Sequence, residues 1–414
     1  METRLAAEFA GTREGTEAEA ILRACVHCGF CTATCPTYQL LGDELDGPRG
    51  RIYLIKEVLE GATPTTRTQL HLDRCLTCRS CETTCPSGVR YGALVDIGRR
   101  IVERKVGRSP AEAAQRYSLR KGLMAKPLFG AALTMGRMAK SWLPREIARR
   151  IPDAQAAGTW PAPRHARRML VMQGCVQPAI APNIDAAMAR VLDRVGVSAV
   201  RAPVGGGCCG ALSEHLAAHD ESLALARRNI DAWWPAVEAG TEAIVVTASG
   251  CGVMVRDYGH LLAEDPAYAV RAARIAAIAR DPAEVVADLW GEIGPKIAMD
   301  RGALRVAFQA PCTLQHGMRI RGQVEELIDA MGHQRLPVAD AHLCCGSAGT
   351  YSILQPALAG ALKQNKLAAL EVERPHVIAS ANIGCITHLA SGTTRPVRHW
   401  IELLDERMLG AVKG

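Results

Sequence analysis

Aromatic side chains are scarce in this 414-residue chain: Phe, Tyr and Trp make up 4% of it, although 48% of its residues are hydrophobic. Its N-terminus lacks a basic stretch followed by an apolar one, so we expect no signal peptide. No apolar run approaches the length of a transmembrane helix, which argues against a membrane-spanning protein. The sixteen cysteines are therefore expected in a reducing compartment, where they bind metals rather than form disulfides.

Two short cysteine runs dominate the first hundred residues, and each reads C-x2-C-x2-C-x3-C-P. The first contains Cys25, Cys28, Cys31 and Cys35, and the second contains Cys75, Cys78, Cys81 and Cys85. Two-cluster bacterial ferredoxins use this run for [4Fe–4S] clusters, and the fourth cysteine of each run ligates the other cluster. We therefore predict one cluster on Cys25, Cys28, Cys31 and Cys85, and a second on Cys75, Cys78, Cys81 and Cys35.

Two other uses of these cysteines are weaker. Zinc accepts four thiolates but has no need of a duplicated triple followed by Cys-Pro. A disulfide framework needs an oxidising compartment. Two one-electron centres in one domain indicate electron transfer, and helical segments flank both runs, so residues 1–112 are predicted to form an α-helical ferredoxin domain.

The positive charge of the chain is concentrated in one segment. The net charge is +7, yet the stretch from Arg116 to Arg168 alone carries +10. We interpret residues 113–166 as a basic linker. It is either a helical linker that packs on its neighbours or a surface helix that meets anionic lipid or an acidic partner. No nucleic-acid-binding motif accompanies the charge, so we expect no nucleic acid partner.

The remainder of the chain contains an internal duplication. Its first copy has Cys175, Cys208, Cys209 and Cys251, and its second has Cys312, Cys344, Cys345 and Cys385. Corresponding cysteines are separated by 137, 136 and 134 residues, a near-constant shift that indicates a repeat. Each copy alternates strand and helix, which predicts an α/β unit with a mainly parallel sheet. The cysteines follow strands, at the edge where such sheets bind ligands.

These copies, residues 167–295 and 302–414, resemble the cysteine-rich CCG domain of the heterodisulfide reductase B subunit. The overall fold class is then mixed: a helical ferredoxin domain followed by two duplicated α/β CCG domains. In that family a lone Cys, a CCG and a C-x-x-C ligate a non-cubane [4Fe–4S] centre. The first cysteine of the C-x-x-C is replaced here by Ala248 and Asn382. Four thiols per copy are left, which suits an iron–sulfur centre, a zinc ion or no metal at all.

The whole chain resembles the iron–sulfur subunits of bacterial glycolate oxidases. The likeness rests on both cysteine runs with their flanks and on motifs such as PCTLQH, HLCCGSAGTYSI and ANIGCITHLASG. It implies partner subunits that bind FAD and oxidise glycolate, with D-lactate as a further substrate. The electrons would then pass to a quinone-type acceptor. A heterodisulfide-reductase-like protein, or the iron–sulfur subunit of a glycerol-3-phosphate or lactate dehydrogenase, is the alternative.

The sequence agrees with this division of labour. We identify no dinucleotide fingerprint after a strand and no flavin-binding segment, and glycines 205–207 are expected to let the backbone approach a metal or a partner. Oxidising a 2-hydroxy acid needs a hydride acceptor such as a flavin, which a cluster is not. FAD is therefore expected only in the partners, and the chain alone should be inactive. The linker and the quinone acceptor together predict a cytoplasmic protein at the periphery of the inner membrane.

Overall fold

The computed structural model describes residues 1–203, 205–299 and 302–408, without the side chains of residues 145 and 146. It confirms the predicted fold class: a helical N-terminal domain followed by two α/β units. We call residues 1–112 the cluster domain, 113–166 the linker, 167–295 repeat 1 and 302–414 repeat 2. Residues 409–414 of repeat 2 lie outside the described residues.

The cluster domain is built from short helices that alternate with the cysteine runs. Pro36, directly after the first run, is the first residue of a helix, a position where its missing N–H costs nothing. The core is formed by the apolar faces of the helices before and after the runs. The helices are α1 (Arg13–Ala24), α2 (Phe30–Ala33), α3 (Pro36–Leu41), α4 (Pro48–Leu59), α5 (Thr66–Asp73), α6 (Ser80–Thr84) and α7 (Tyr91–Val106), with a 3-10 turn at Glu44–Asp46.

A buried ion-pair network fixes α4 and α5 beside the second cysteine run. Asp46 accepts from Arg74 at 2.7 Å and contacts His71 Nδ1 at 3.0 Å. Arg51, almost fully buried, lies 3.5 Å from Asp46 and donates to the His71 carbonyl at 2.7 Å. Breaking such a pair leaves an uncompensated buried charge, which costs about 3–5 kcal/mol. The network therefore sets the geometry of the chain entering that run.

The linker is helical, and most of its cations have partners within the protein. It contains α8 (Pro110–Met124), α9 (Lys126–Ala139), a 3-10 turn at Lys140–Trp142 and α10 (Arg145–Ala148). Ion pairs join Arg116 to Asp73, Arg120 and Lys121 to Glu221, and Lys140 to Asp153. Much of the positive charge thus holds the linker onto the cluster domain and repeat 1.

Repeat 1 contains a four-stranded parallel sheet in the order β2-β1-β3-β4. Its strands are β1 (Arg167–Val171), β2 (Val197–Arg201), β3 (Ile244–Val245) and β4 (Ala279–Arg280). Its helices are α11 (Gln177–Ile180), α12 (Asn183–Arg194), α13 (Ala211–His215), α14 (His219–Glu238), α15 (Ser249–Leu261), α16 (Ala269–Ile278), α17 (Pro282–Asp288) and α18 (Trp290–Ile293), with a 3-10 turn at Gly294–Lys296.

Repeat 2 has the same topology, β6-β5-β7-β8, with every pairing parallel. Its strands are β5 (Arg305–Gln309), β6 (Gln334–Leu336), β7 (Val377–Ser380) and β8 (Val397–His399). Its helices are α19 (Gln323–Ala330), α20 (Tyr351–Leu354), α21 (Pro356–Glu371), α22 (Ile383–Ala390) and α23 (Trp400–Met408), with a π-helical turn at Thr313–Gly317. The shared strand order is what a duplication predicts.

The two repeats share one apolar core and a set of polar contacts. Asp405 of α23 accepts from Arg190 at 2.6 Å and from Arg194 at 2.7 Å, both on α12. The His399 ring contacts the Thr247 carbonyl at 3.0 Å. Repeat 2 is therefore anchored to repeat 1 through its last helix. Within the described part of the chain, no helix is long and apolar enough to cross a membrane.

Candidate functional site

Both cysteine runs fold into the same unusual loop. Residues 27 and 29 in the first run, and Thr77 and Arg79 in the second, have positive φ angles between 52° and 84°. For non-glycine residues such as His27 this conformation costs roughly 1–3 kcal/mol and persists only where the surroundings enforce it. Turns that contain such residues can aim successive backbone N–H groups into a concavity that suits an anion. The loops are thus shaped around something they can bind.

The first predicted ligand set is assembled in the structure. Cys25, Cys28 and Cys31 lie together with Cys85 from the second run, around a small cavity of about 30 Å³. Burial, with Cys25 as the next contributor, raises the pKa of Cys31 to about 11, and Cys28 and Cys85 add to the shift. We call this group the outer site, because Cys28 is exposed to solvent.

The second predicted set is assembled as well, deeper in the domain. Cys75, Cys78 and Cys81 line a cavity of about 20 Å³ together with Cys35 from the first run. Burial raises the pKa of Cys81 well above its usual value, and Cys78 and Cys75 add to the effect. We call this group the inner site. The exchange of the fourth cysteine between runs, predicted from the spacing, therefore appears as proximity; ligation itself stays a prediction.

The cysteines of repeat 1 form a third group, at the carboxyl ends of its strands. Cys175 lies next to Cys208, Cys208 next to Cys209, and Cys209 next to Cys251. Gly210 of the CCG has φ +96°, and a Cβ there would lie 2.9 Å from Ser222 Oγ, so only glycine fits. The backbone thus turns sharply enough to bring all four thiols together.

The cysteines of repeat 2 form a matching fourth group with an additional neighbour. Cys312 lies next to Cys344, Cys344 next to Cys345, and Cys345 next to Cys385. Cys312 is also a neighbour of Cys78 of the inner site. Gly346, in the second CCG, again has a positive φ of +87°. A continuous contact between thiols therefore joins the cluster domain to repeat 2.

Buried polar atoms without a hydrogen-bond partner lie on or beside residues that neighbour three of these cysteine groups in sequence. Trp233 Nε1 would lie 2.7 Å from a Cβ on Gly206, beside Cys208. Within the described residues, neither Trp233 Nε1 nor Ser222 Oγ has a hydrogen-bond partner, and neither does Ser80 Oγ at the inner site or His27 Nε2 at the outer site. Native proteins rarely bury unpaired polar groups, so these atoms fit a missing group that accepts hydrogen bonds, such as the sulfides of a cluster.

A lysine lies beside the cysteines of each repeat. Lys126 of the linker donates to the Gln173 carbonyl at 3.0 Å and lies near Cys175 and Cys208. Lys366 of α21 is only 4% exposed, lies near Cys312, Cys344 and Cys345, and donates to the Asp340 carbonyl at 2.8 Å. A buried cation needs compensating negative charge nearby, which thiolates bound to a metal would supply.

The two positions where a cysteine is replaced, Ala248 and Asn382, lie at the contact between the repeats. Asn382 caps α22 by accepting from the Gly384 amide at 2.8 Å, and its amide donates to Ser249 Oγ at 3.2 Å. Ser249 follows Ala248, and its own amide donates to the Ala381 carbonyl. Asn382 therefore holds a helix start and the interface between repeats, and offers no thiol.

The expectation that no dinucleotide fingerprint follows a strand needs correcting. Residues Gly205, Gly207 and Gly210 do spell the spacing of a dinucleotide fingerprint, and they lie between β2 and α13. However, Cys208 and Cys209 occupy the variable positions and α13 has only five residues. The loop is filled by Trp233 and by the ends of Arg228 and Lys126. It surrounds cysteines and provides no open cradle for a pyrophosphate.

Contacts that the sequence did not reveal hold the cluster domain between the repeats. Arg79 donates to Asp257 of repeat 1 at 2.8 Å, and Arg100 donates to Glu214 at 2.7 Å. Thr83 contacts His316 of repeat 2 at 2.8 Å. Burial lowers the pKa of His316 to about 4, so its ring is neutral near pH 7. These contacts pair residues more than a hundred positions apart, which no local motif indicates.

Comparisons with known proteins agree with this geometry. Residues 21–89 match the 4Fe-4S dicluster domain, and residues 169–256 and 306–390 match the cysteine-rich domain. The chain is 52% identical over 410 residues, covering 99% of both chains, to the glycolate oxidase iron-sulfur subunit of Escherichia coli K12. It is 28% identical over 408 residues, 91% of this chain and 90% of the relative, to a probable glycolate oxidase iron-sulfur subunit of Bacillus subtilis 168. A lactate utilization protein A of Exiguobacterium is 25% identical over 240 residues, 56% of this chain and 94% of that protein.

Proposed function

The chain belongs to the family of glycolate oxidase iron–sulfur subunits, and on that premise we propose that it relays electrons within a complex that oxidises glycolate to glyoxylate. FAD-bearing partner subunits carry out the oxidation, and a quinone-type acceptor receives the electrons. The observation that carries the proposal is the grouping of Cys25, Cys28 and Cys31 with Cys85, and of Cys75, Cys78 and Cys81 with Cys35. Two [4Fe–4S] clusters held there would supply one-electron carriers.

The residues of this chain hold and tune those carriers. Eight thiols provide the ligands, the left-handed loops direct backbone N–H groups inwards, and the Asp46 network fixes the second run. Hydrogen bonds to cluster sulfurs and burial are the means by which a protein sets a reduction potential. Tyr91, which donates to Cys75 Sγ at 3.6 Å, is positioned to act in this way at the inner site.

The repeats are proposed to hold metal too. The orphaned donors around Cys208 and the buried Lys366 beside Cys312, Cys344 and Cys345 support an anionic centre. We favour iron–sulfur over zinc, because Cys312 touches a ligand candidate of the inner site. Two cubane clusters account for about eight iron atoms per chain. The iron content of anaerobically purified protein tests this proposal. Clearly more than eight iron atoms per chain would support further iron–sulfur centres in the repeats, and about eight would contradict them.

Substrate oxidation belongs to the partners in this proposal. No hydride acceptor is expected in the chain, since clusters take one electron at a time. The isolated chain mixed with glycolate and a dye should therefore show no turnover, and addition of the flavoprotein should start it. Full-rate turnover by the chain alone would refute the proposal.

A lactate-linked function is the second candidate. The likeness to lactate utilization protein A, which spans 56% of the chain, favours it. Because the substrate meets the flavoprotein, the discriminating measurement uses the natural partner: reduction of the chain's clusters by glycolate but not lactate selects the first candidate. The reverse result selects the second.

Attachment to the inner membrane from the cytoplasmic side is a further part of the proposal, and α9 supports it. Leu128, Met135, Met138 and Trp142 are all exposed, Trp142 by 87%. The spacing of Leu128, Met135 and Met138 places them on one side of α9, and Trp142 ends the 3-10 turn that follows. Trp is favoured at the membrane interface, and a helix with an apolar face lies well in that plane. Because several linker cations form ion pairs within the protein, we expect apolar contact to contribute more to membrane binding than charge does.

Fractionation with the partners present tests this attachment. Wild-type protein should stay with membranes in a high-salt wash, because apolar burial is not screened by salt. Trp142→Ser with Met138→Ser should release it, whereas Val270→Ser, at an exposed valine of α16, should not. Protein that is wholly unbound at low salt would contradict the attachment.

A further inference from the structure

A cavity of about 200 Å³ lies between the cluster domain and the two repeats. It is far larger than the cavities of about 30 Å³ and 20 Å³ at the outer and inner sites. Its wall includes Cys78 of the inner site and Thr313, the residue that follows Cys312 in repeat 2. The cavity therefore reaches the junction where the inner site and the cysteines of repeat 2 are neighbours. A molecule bound there would touch the predicted electron relay.

The wall of this cavity favours an uncharged ligand. Each arginine in it pairs with a carboxylate, so an anionic ligand would have to displace a carboxylate that is already in place. The ion pairs, of 2.7 to 3.6 Å, join Arg13 to Glu264, Arg79 to Asp257, Arg90 to Glu17, and Arg100 to Glu14 and Glu214. Apolar side chains supply another part of the wall, and they are Ala93, Ile97, Ala211, Val253, Met254 and Leu261. Apolar walls with a few polar groups are typical of sites for small organic molecules.

One polar pair in the wall has hydrogen-bonding capacity to spare. Asp96 of α7 is 8% exposed, and its Oδ1 lies 3.5 Å from Nδ1 of His215 on α13. Both atoms are buried, and neither has a hydrogen-bond partner within the described residues. A carboxylate in this position orients an imidazole ring and stabilises its protonated form. Asp96 faces Nδ1 and leaves Nε2 of His215 to exchange protons with a ligand and with solvent, since the side chain is 40% exposed.

We propose that this cavity binds the ring of the quinone-type acceptor, with electrons leaving the chain at the junction of Cys78 and Cys312 and protons supplied through His215. The inference rests on the proposed function and adds to it a binding site and a proton donor. A quinone becomes a quinol by taking two electrons, which one-electron carriers deliver singly, and two protons. His215 gives up each proton and regains it from solvent.

This lining meets each requirement of that reaction. The paired charges and the apolar side chains accept an uncharged ring, the cysteines at the junction bring the electron donor to the wall, and the pair of His215 and Asp96 supplies the protons. A carboxylate such as glycolate finds no arginine in the wall without a carboxylate partner. The cavity is thus suited to the acceptor rather than to the 2-hydroxy acid.

Binding of decylubiquinone, a short-chain quinone, to the anaerobically purified chain tests the site. Ala93→Phe fills the cavity from α7, and Ala114→Phe adds the same volume on the exposed surface of α8 as a control. We expect Ala93→Phe to raise the Kd at least about tenfold and the control to match wild type. Wild-type protein that does not bind the quinone, or normal binding by Ala93→Phe, would overturn the assignment.

A second experiment tests the proton donor by changing the oxidant. Dithionite-reduced protein is mixed with decylubiquinone or with ferricyanide, which takes one electron and no proton. In His215→Gln we expect quinone reduction to slow at least about tenfold, while the Kd for the quinone and the rate with ferricyanide stay unchanged. His165→Gln, at a His–Asp pair of 3.0 Å with Asp193 outside the cavity, should match wild type throughout. An unchanged quinone rate in His215→Gln, or an equal loss with both oxidants, would contradict the role of His215.

These measurements use neither glycolate nor flavoprotein, so they separate this inference from the proposed function. Wild-type clusters that glycolate and flavoprotein fail to reduce would refute the proposed function. Quinone reduction by wild-type protein that neither Ala93→Phe nor His215→Gln alters would refute the cavity alone. EPR shows whether each variant keeps its clusters, and His215→Gln decides the question if Ala93→Phe loses iron.

Discussion

The two repeats share a strand order and a row of four thiols, yet they occupy different positions in the molecule. The cysteines of repeat 1 lie beneath the linker, with Lys126 beside them. Those of repeat 2 lie against the cluster domain, where Cys312 meets Cys78. Duplication thus produced two similar groups of four thiols, and packing placed the group of repeat 2 next to the predicted electron carriers. The comparison predicts that equivalent substitutions will have unequal effects.

The largest expected effect is on the rate of electron transfer, and it is measured with two single variants that each remove one CCG cysteine, one variant for each repeat. Cys345→Ser should reduce electron transfer from glycolate to a quinone analogue about a hundredfold, because it alters the centre in contact with the inner site. Cys209→Ser in repeat 1 should cost no more than about tenfold. Steady-state assays of the complex measure both, with EPR of the cluster domain as the control for folding. Equal losses of rate in the two variants would contradict the prediction that the repeats contribute unequally to electron transfer.

The next effect concerns the buried lysine of repeat 2. Lys366→Met keeps the volume but removes a positive charge next to three cysteines, so the centre there should become harder to reduce. Lys126→Met should shift repeat 1 less, because Lys126 is only half-buried and solvent screens it. Redox titration followed by EPR compares the two variants. A larger shift for Lys126→Met would reverse our ranking.

A buried carboxyl group of repeat 1 should make stability depend on pH. Burial raises the pKa of Asp281, the N-cap of α17, to about 7. Between the unfolded pKa of about 4 and this value the native state binds more protons, so stability falls as pH rises through that window. Asp281→Asn mimics the protonated form and should remove that loss, by at most about 4 kcal/mol.

Thermal unfolding at pH 5 and pH 8 checks this prediction. Relative to wild type, the Asp281→Asn variant should be more stable at pH 8 than at pH 5, because it lacks the loss that Asp281 contributes as pH rises. The exposed pair Arg335 and Asp329 of repeat 2 supplies the control, since Asp329→Asn should leave the difference between the two pH values unchanged. An unaltered difference in Asp281→Asn would contradict the prediction.

The smallest expected effect is a difference in stability between variants of the two residues, Asn382 and Ala248, that stand where the family has a cysteine. Asn382→Ala removes the cap of α22 and the contact with Ser249, which should cost about 1 kcal/mol of stability. Ala248→Ser should change stability by less, because Ala248 provides no side-chain cap to α15. Urea unfolding of the two variants measures the difference. Equal stabilities would mean that Asn382 has no role in the interface.

The sequence predicted the parts of this architecture that depend on spacing. The interval of cysteines in each run predicted which thiols would meet, and the constant offset between Cys175 and Cys312 predicted two units of equal fold. Both follow from local loop geometry or from duplication, so they need no knowledge of tertiary packing. The family resemblance is confirmed by a relative of 52% identity, and it is the basis for proposing a glycolate-oxidising complex.

Tertiary packing decides what the sequence did not reveal. The linker's charge left two alternatives, a helix that packs on its neighbours or a surface that meets anionic lipid or an acidic partner, and the ion pairs of Arg116, Arg120 and Lys121 with acids elsewhere in the chain favour the first. The meeting of Cys78 and Cys312 joins residues 234 positions apart. The exposure of Val26 and Phe30 depends on how the rest of the chain packs around them. None of these properties leaves a periodic or spaced signal in the sequence.

Anaerobic addition of glycolate, followed by EPR, tests the relay most directly. With flavoprotein present, we expect the signals of two reduced [4Fe–4S] clusters to appear in this chain; without it, the spectrum should remain unchanged. Reduction of the clusters by glycolate in the isolated chain would contradict the account, and so would clusters that stay oxidised in the active complex.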